Sequence, residues 1–124
     1  MKYYSALMLV MISWILGASC AARPAVQANF RTIGVPSEPK SAQCAIDIFR
    51  TSSPPHKYIE VSRIDIHLEY SDSRTPHVGE LLPLVSEKAC IAGADAVMNF
   101  HERQSILSGG IHTYHITATG IRYE

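Results

Sequence analysis

One segment in the middle of the chain constrains the fold most strongly. From Ile59 to Tyr70, apolar residues alternate with charged or imidazole side chains. Successive side chains of a β-strand point to opposite faces, so this alternation predicts a strand with one buried and one wetter face. A sheet built on it needs a second layer over its apolar side. The apolar series is Ile64, Ile66, Leu68 and Tyr70, and the polar series is Arg63, Asp65, His67 and Glu69.

Three further segments have strand character. Residues Ala45–Phe49 are a short apolar run that ends at the Thr51–Pro55 breaker. Residues Ala96–Leu107 and Ile111–Tyr123 are joined through Ser108-Gly109-Gly110, which is typical of a hairpin. On the last strand the predicted core residues are Tyr114, Ile116 and Ala118, and the predicted wet-face residues are Thr113, His115, Thr117 and Thr119.

A helix is predicted between these strands, because Leu82, Val85, Ala89 and Ala92 recur at helical spacing. Pro83 is tolerated in a first turn, so the helix is expected to begin near Leu81 or Leu82. Gly93 is its predicted C-terminal stop. The result is an α+β, two-layer sandwich in the order β-β-α-β-β. It has one main helix on a mostly antiparallel sheet of about four strands, with the other sheet face open or paired.

The first residues of the chain, Met1–Ala22, are typical of an export signal. Lys2 provides the positive start, Ala6–Leu16 is apolar apart from one serine, and the small residues Gly17-Ala18-Ser19 precede Cys20. The apolar run is too short to span a bilayer, which takes ~20 residues. We therefore predict a signal peptide over residues 1–19.

The small residues before Cys20 resemble the lipobox of bacterial lipoproteins, although Gly17 occupies a position where that pattern usually has a large aliphatic residue. The resemblance implies that Cys20 is diacylated and becomes the mature N-terminus. Because Ala21 follows rather than aspartate, it also implies an outer-membrane, periplasm-facing location. The alternative is ordinary cleavage, for example after Ala22, which leaves a secreted or soluble periplasmic protein.

Residues 20–42 are predicted to be the acylated N-terminus and a flexible tether, and residues 43–124 the folded domain. Residues 1–19 contain one of the 11 basic residues, Lys2, and none of the 11 acidic residues, so the remainder has a formal net charge of −1. Nothing in this balance forms the basic stripe that nucleic-acid binding requires.

The domain resembles the YbjQ-like domain, whose layout is shared by RcsF-like outer-membrane lipoproteins that sense envelope stress. The resemblance lies in Ala45–Phe49, in Tyr58–Val61 after a proline-bearing turn, and in the A-x-x-x-G-A-D-A-V step of Lys88–Val97. It implies the fold rather than a reaction, and Asp95 is interpreted as a turn carboxylate. RcsF-like proteins carry disulfides between the stretch after the second strand and the hairpin, and the corresponding stretches here lack cysteine.

Two cysteines, Cys44 and Cys90, remain beside Cys20. An even count in an oxidising compartment predicts a disulfide between them, since the first strand and the helix pack together. Two buried free thiols that behave as small apolar side chains are the alternative.

Candidate chemistry is sparse. Asp65, His67 and Glu69 share a strand face and are weak metal-ligand candidates, a pattern that ordinary solvated strands also show. His112 and His115 are three residues apart, so on a strand they point to opposite faces. No G-x-S-x-G elbow or phosphate-binding loop is present in the sequence, and we expect no enzymatic activity and no cofactor. Four tyrosines are expected to pack between strands rather than line a ligand pocket: Tyr58, Tyr70, Tyr114 and Tyr123.

Taken together, these features predict a membrane-tethered, non-catalytic domain that binds a protein partner in the periplasm or acts in sensing or scaffolding. One alternative is a periplasmic metal-binding module that uses His67, Asp65 or the strand histidines. The other is a structural domain that self-assembles through an open sheet face or edge.

Overall fold

The computed structural model describes residues 25–70, 76–107 and 109–124. Within these ranges the fold is α+β, as predicted, with one helix and one mixed sheet of five strands in the order β1-β3-β5-β4-β2. The same ranges contain no helix that is long and apolar enough to span a membrane. The elements are β1 (Ala25–Thr32), β2 (Asp47–Ile48), β3 (Tyr58–Tyr70), α1 (Val78–Ile91), β4 (Ala96–Ile106) and β5 (His112–Tyr123).

Strand β1 adds a fifth strand to the predicted sheet of about four, and it lies within residues 20–42, the segment predicted as a tether. It pairs antiparallel with β3 along its whole length, from Ala25 opposite Glu69 to Thr32 opposite Ser62. Its small and apolar residues alternate with polar ones and stand beside the apolar residues of β3 on the helix side of the sheet, with Ala28 opposite Ile66 and packed against the core. Burial of that face favours pairing over an extended tether. The segment predicted as tether therefore contributes an edge strand.

Strand β2 is shorter than the predicted Ala45–Phe49 and runs parallel to β4. Its pairing is completed by backbone hydrogen bonds from Asp47 N to Asp95 O at 3.2 Å and from Phe49 N to Val97 O at 2.9 Å. Between Met98 and His101, the register of β4 against β5 shifts by one residue. The pairing with β2 stops before this bulge, so within the described residues only the first residues of β4 have a strand neighbour on this side.

The helix begins at Val78, earlier than the predicted Leu81 or Leu82, and Pro83 lies in its second turn. Val78 and Leu81 are buried against the sheet, which anchors a first turn that the spacing pattern does not reveal. Pro83 is exposed, so its missing N–H is lost on the side of the helix where water can reach the backbone.

The core lies between α1 and the apolar faces of β3 and β5. Val85 and Ala89 of the helix are fully buried and belong to one cluster with the alternating residues of the two strands. The predicted core residues of β5 are all buried there, at 2% exposure or less, as are Ile64 and Ile66 of β3. The period-two pattern thus identified the residues that face the helix, but Thr113 and Thr119, predicted to face water, are also buried, at 7% and 4% exposure.

The end of the helix is the predicted glycine turn. Gly93 has a φ of +79°. Its N–H bonds Cys90 O, and Ala94 N–H bonds Ala89 O, both at 2.9 Å. These two bonds form a Schellman motif, in which the left-handed residue follows the C-cap. The turn directs the chain straight into β4.

Cys44 and Cys90 form a disulfide, with their Cα atoms 5.8 Å apart. The bond joins the segment before β2 to the last turn of α1. A backbone hydrogen bond from Lys40 N to Cys90 O, 2.9 Å long, holds the same segment against the helix. The segment that leads from β1 to β2 is therefore attached to the helix at two neighbouring points.

Asp95 has a structural role at the start of β4, in agreement with its interpretation as a turn carboxylate. It forms an ion pair with Lys40 and accepts a hydrogen bond from the Tyr123 amide at 2.9 Å. Partial burial raises the pKa of Asp95, but the Lys40 hydrogen bond, the Tyr123 amide and nearby positive charge outweigh it and hold the pKa below 3.8. The stabilisation is thus present above that ordinary value and is lost as the pH falls through the folded-state pKa.

Candidate functional site

The candidate site is the sheet face opposite the helix, here called the open face. Residues that stand directly opposite each other on paired strands share a face, so the register assigns its members. Its side chains are mostly polar, with Met98 of β4 as an apolar member opposite Thr119. The residues at its centre are half-buried, and Thr113 and Thr119 are buried. The polar members of the open face are Gln27, Asn29 and Arg31 of β1; Arg63, Asp65, His67 and Glu69 of β3; Thr113, His115, Thr117 and Thr119 of β5; and His101, Arg103 and Ser105 of β4.

Two imidazoles meet at the centre of the open face. His67 of β3 stands opposite His115 of β5, and their ring centroids are 6.0 Å apart in an edge-to-face arrangement. Each imidazole contacts a different carboxylate: His67 Nε2 lies 3.3 Å from Glu69 Oε1, and His115 Nε2 lies 3.7 Å from Asp65 Oδ1. We call these four residues the histidine cluster.

The cluster offers hydrogen-bonding groups and charges of both signs to an incoming partner. All four side chains are between 31% and 46% exposed, so water screens their mutual attraction and their polar atoms are accessible. Among residues 25–70, 76–107 and 109–124, no group of three or more His, Cys, Asp or Glu side chains has an arrangement suited to holding a metal ion. The imidazoles and carboxylates of the cluster can form hydrogen bonds and ion pairs with a polar protein surface.

A shallow cavity of about 120 Å³ lies beside the cluster. Glu60 and Arg63 of β3 line one side of it, and Asn99 and His101 of β4 line the other, with threonines of β5 between them. Both contributing strands bulge here, β3 between Glu60 and Ser62 and β4 between Met98 and His101. Bulges re-aim side chains and increase local twist, which accounts for a concavity at this point of the sheet.

Asn99 lies within the bulge of β4 and has a φ of +54°. This left-handed conformation is uncommon for residues other than glycine, and asparagine is among those that adopt it most readily. Met98 stands opposite Thr119 and His101 opposite Thr117, so β4 has two residues where β5 has one, and Asn99 is one of those two. The β4 side of the cavity therefore depends on the backbone conformation of Asn99.

The predicted site residues lie on both faces of the sheet. Asp65, His67 and Glu69 share the open face as predicted; His67 pairs with Glu69, whereas Asp65 pairs with His115 of β5. His112 and His115 lie on opposite faces, as strand geometry predicts, and His112 stacks on Tyr70 with ring centroids 5.2 Å apart. Cys20 lies outside the described residues.

Two parts of the site were missed by sequence reasoning, the approach of His115 to His67 and the cavity that includes His101 and Asn99. The hairpin signal at Gly109-Gly110 places β4 beside β5, yet the register that aligns these side chains depends on bulges with no clear sequence mark. Without that register, a period-two pattern assigns faces but not neighbours.

On the helix side of the sheet, Tyr114 is buried and donates a hydrogen bond to Glu102 Oε2 at 2.6 Å. Burial and this bond raise the pKa of Tyr114 well above its ordinary value of 10. Arg50 lies 3.4 Å from the other oxygen of the same carboxylate. These residues connect β4, β5 and the chain after β2. The Tyr114 hydroxyl is a neutral structural donor, and its ring belongs to the core as predicted.

No family model, curated protein or solved structure is significantly similar to this chain.

Proposed function

We propose that this protein is a non-catalytic envelope lipoprotein whose domain binds a protein partner in the periplasm through the open face. The observation that carries the proposal is that the helix covers one face of the sheet and leaves the other accessible, polar and mixed in charge. Non-obligate interfaces are about as polar as ordinary protein surface, so such a face suits a reversible partner. Sensing and scaffolding are both uses of such binding.

The outer edge of β4 is a second feature that favours a protein partner. Strand β2 pairs with β4 only at Ala96 and Val97. Beyond the bulge, the outer edge of β4 from His101 to Ile106 has no neighbouring strand within the described residues. Unpaired edge strands are the usual site of strand addition by a partner. The Cys44–Cys90 disulfide agrees with an oxidising compartment such as the periplasm.

Photo-crosslinking in intact cells tests partner binding. A photoreactive phenylalanine analogue at Arg103, which is exposed on the open face, is expected to give a discrete crosslinked product. The same analogue at Glu87 on the helix, whose side chain is 43% exposed, is the matched control and should give none. Equal crosslinking from both positions would contradict binding through the open face. A product with twice the protein's own mass would indicate self-assembly instead.

The membrane anchor has its own test. Cys20→Ala is expected to abolish acylation and to move the protein from the membrane fraction to the soluble fraction, because several acyl chains are needed for durable anchoring. Mass spectrometry of the mature N-terminus and fractionation of cells measure both effects. A variant that is processed and fractionates like the parent would show that Cys20 is not the anchor, as ordinary cleavage after Ala22 predicts.

A metal-binding module is the second candidate function, favoured by the approach of His67 to His115. Imidazole is a common ligand of zinc and copper, and two rings on neighbouring strands could provide half of a site. Calorimetric titration with zinc or copper separates the two candidates. Heat at micromolar metal that is lost in His115→Ala would favour the metal module.

A further inference from the structure

The tip of the β4–β5 hairpin exposes three aliphatic side chains. Ile106 is 69% exposed, Leu107 is 47% exposed and Ile111 is 40% exposed. Leu107 N–H bonds Ile111 O at 2.7 Å, so the three residues lie together across the end of the hairpin. Single exposed aliphatic residues are common, but a group at the end of one hairpin indicates a surface that contacts something apolar. We call these three residues the hairpin tip.

The sheet register places the start of β1 at the same end of the molecule. Ala25 stands opposite Glu69, Glu69 opposite Thr113, and Thr113 opposite Ser105. One row thus crosses four strands, and at about 4.8 Å between neighbouring strands it is roughly 14 Å wide. The hairpin tip begins at the next residue, Ile106. The chain therefore enters the sheet at the end that carries the hairpin tip.

The predicted anchor is close to this entry point. Cys20 precedes Ala25 by five positions, and a fully extended chain covers at most about 3.6 Å per residue, or roughly 18 Å in all. A tether that extended to residue 42 would have permitted about four times that distance. Because β1 takes up most of the predicted tether, an anchor at Cys20 holds this end of the domain near the headgroups.

We infer that the hairpin tip docks on the lipid bilayer and orients the domain with the β1 entry end toward the membrane. The inference rests on the proposed acylation of Cys20. Aliphatic side chains at the headgroup boundary leave water, which favours the docked orientation once acyl chains provide the main attachment. The opposite end of β3, at Tyr58, lies about 40 Å away at 3.3 Å per residue and faces the periplasm.

Tryptophan fluorescence tests this orientation. The only tryptophan of the chain, Trp14, lies in the predicted signal peptide. The mature protein therefore contributes no tryptophan fluorescence of its own. Leu107→Trp places a reporter at the hairpin tip. Tyr58→Trp is the matched control, since Tyr58 is 38% exposed at the far end of the sheet. The full chain is expressed in bacteria, and the processed protein is reconstituted into phosphatidylethanolamine–phosphatidylglycerol vesicles with brominated acyl chains.

The expected result is a blue shift and strong bromolipid quenching for Leu107→Trp, and neither effect for Tyr58→Trp. Ile106→Trp should reproduce the tip signal, which guards against a folding defect in one variant. Quenching of neither reporter, or of both equally, would overturn the inference. Vesicle flotation and the mass of the N-terminus are measured on the same samples. Acylated, floating protein with an unquenched tip would refute only the docking, whereas protein without acyl chains would refute both the anchor and the docking that depends on it.

Discussion

Replacing Cys44 and Cys90 together with alanine is expected to lower the free energy of unfolding by about 4 kcal/mol. The disulfide closes a sequence separation of 46 residues, and on the chain-entropy model a loop of that length loses about this much conformational freedom in the unfolded state. The bond also holds the segment before β2 on the helix, where Cys90 is fully buried. Urea denaturation followed by circular dichroism measures the change.

Reduction provides the control for this prediction. Parent protein in reductant should unfold at a urea concentration close to that of the double variant, because both lack the same covalent constraint. The double variant itself should not respond to reductant. If the parent and the variant unfold at the same urea concentration without reductant, the two thiols are free in the folded protein and the bond does not form.

Replacing Gly93 with valine is expected to lower the free energy of unfolding by about 3 kcal/mol, the sum of a conformational cost and an overpacking cost. Two costs combine at this position. The φ of +79° lies in the left-handed region, where a branched side chain costs about 1–2 kcal/mol. In addition, a Cβ atom here would lie 2.5 Å from the backbone oxygen of Glu38 and 2.6 Å from Ser37 Cβ. Backbone cannot yield as a flexible side chain does, so the segment at Ser37 and Glu38 must move.

Gly34→Val separates the two costs. Gly34 has a φ of +67°, and a Cβ atom added there meets nothing within 4 Å. It should therefore show the conformational cost alone, about 1–2 kcal/mol, and melt at a higher temperature than Gly93→Val. Equal losses would mean that the close approach of residues 37–38 contributes nothing. An unchanged melting temperature for Gly93→Val would contradict the left-handed helix end itself.

Local patterns were sufficient for much of the fold. The alternation from Ile59 to Tyr70 predicts β3 and its buried face, and Gly93 predicts the end of the helix, because these signals depend on neighbouring residues in the chain. The Gly109-Gly110 turn, with φ values of +86° and +77°, predicts the β4–β5 hairpin for the same reason. Each of these features lies where the prediction places it, within a few residues.

Strand β1 shows where local patterns fail. Its residues Ala25–Thr32 include few strong strand formers, and Val26 and Phe30 remain 46% and 37% exposed in the folded protein. Such a segment has little reason to be extended on its own. It becomes a strand because β3 presents an unpaired edge and an apolar face beside it. The length of the tether, and with it the distance of the domain from the proposed anchor, depends on this pairing.

The candidate site divides in the same way. Alternation alone determined that Asp65 and His67 share the wetter face, and cysteine count with compartment pointed to the Cys44–Cys90 pair. Only the tertiary structure decided that His67 meets His115, that Asp65 pairs across the sheet, and that the hairpin tip lies at the end where β1 begins. The physical reason is that a strand's period of two specifies the side of a residue, whereas its neighbours depend on register, bulges and pairing between segments distant in sequence.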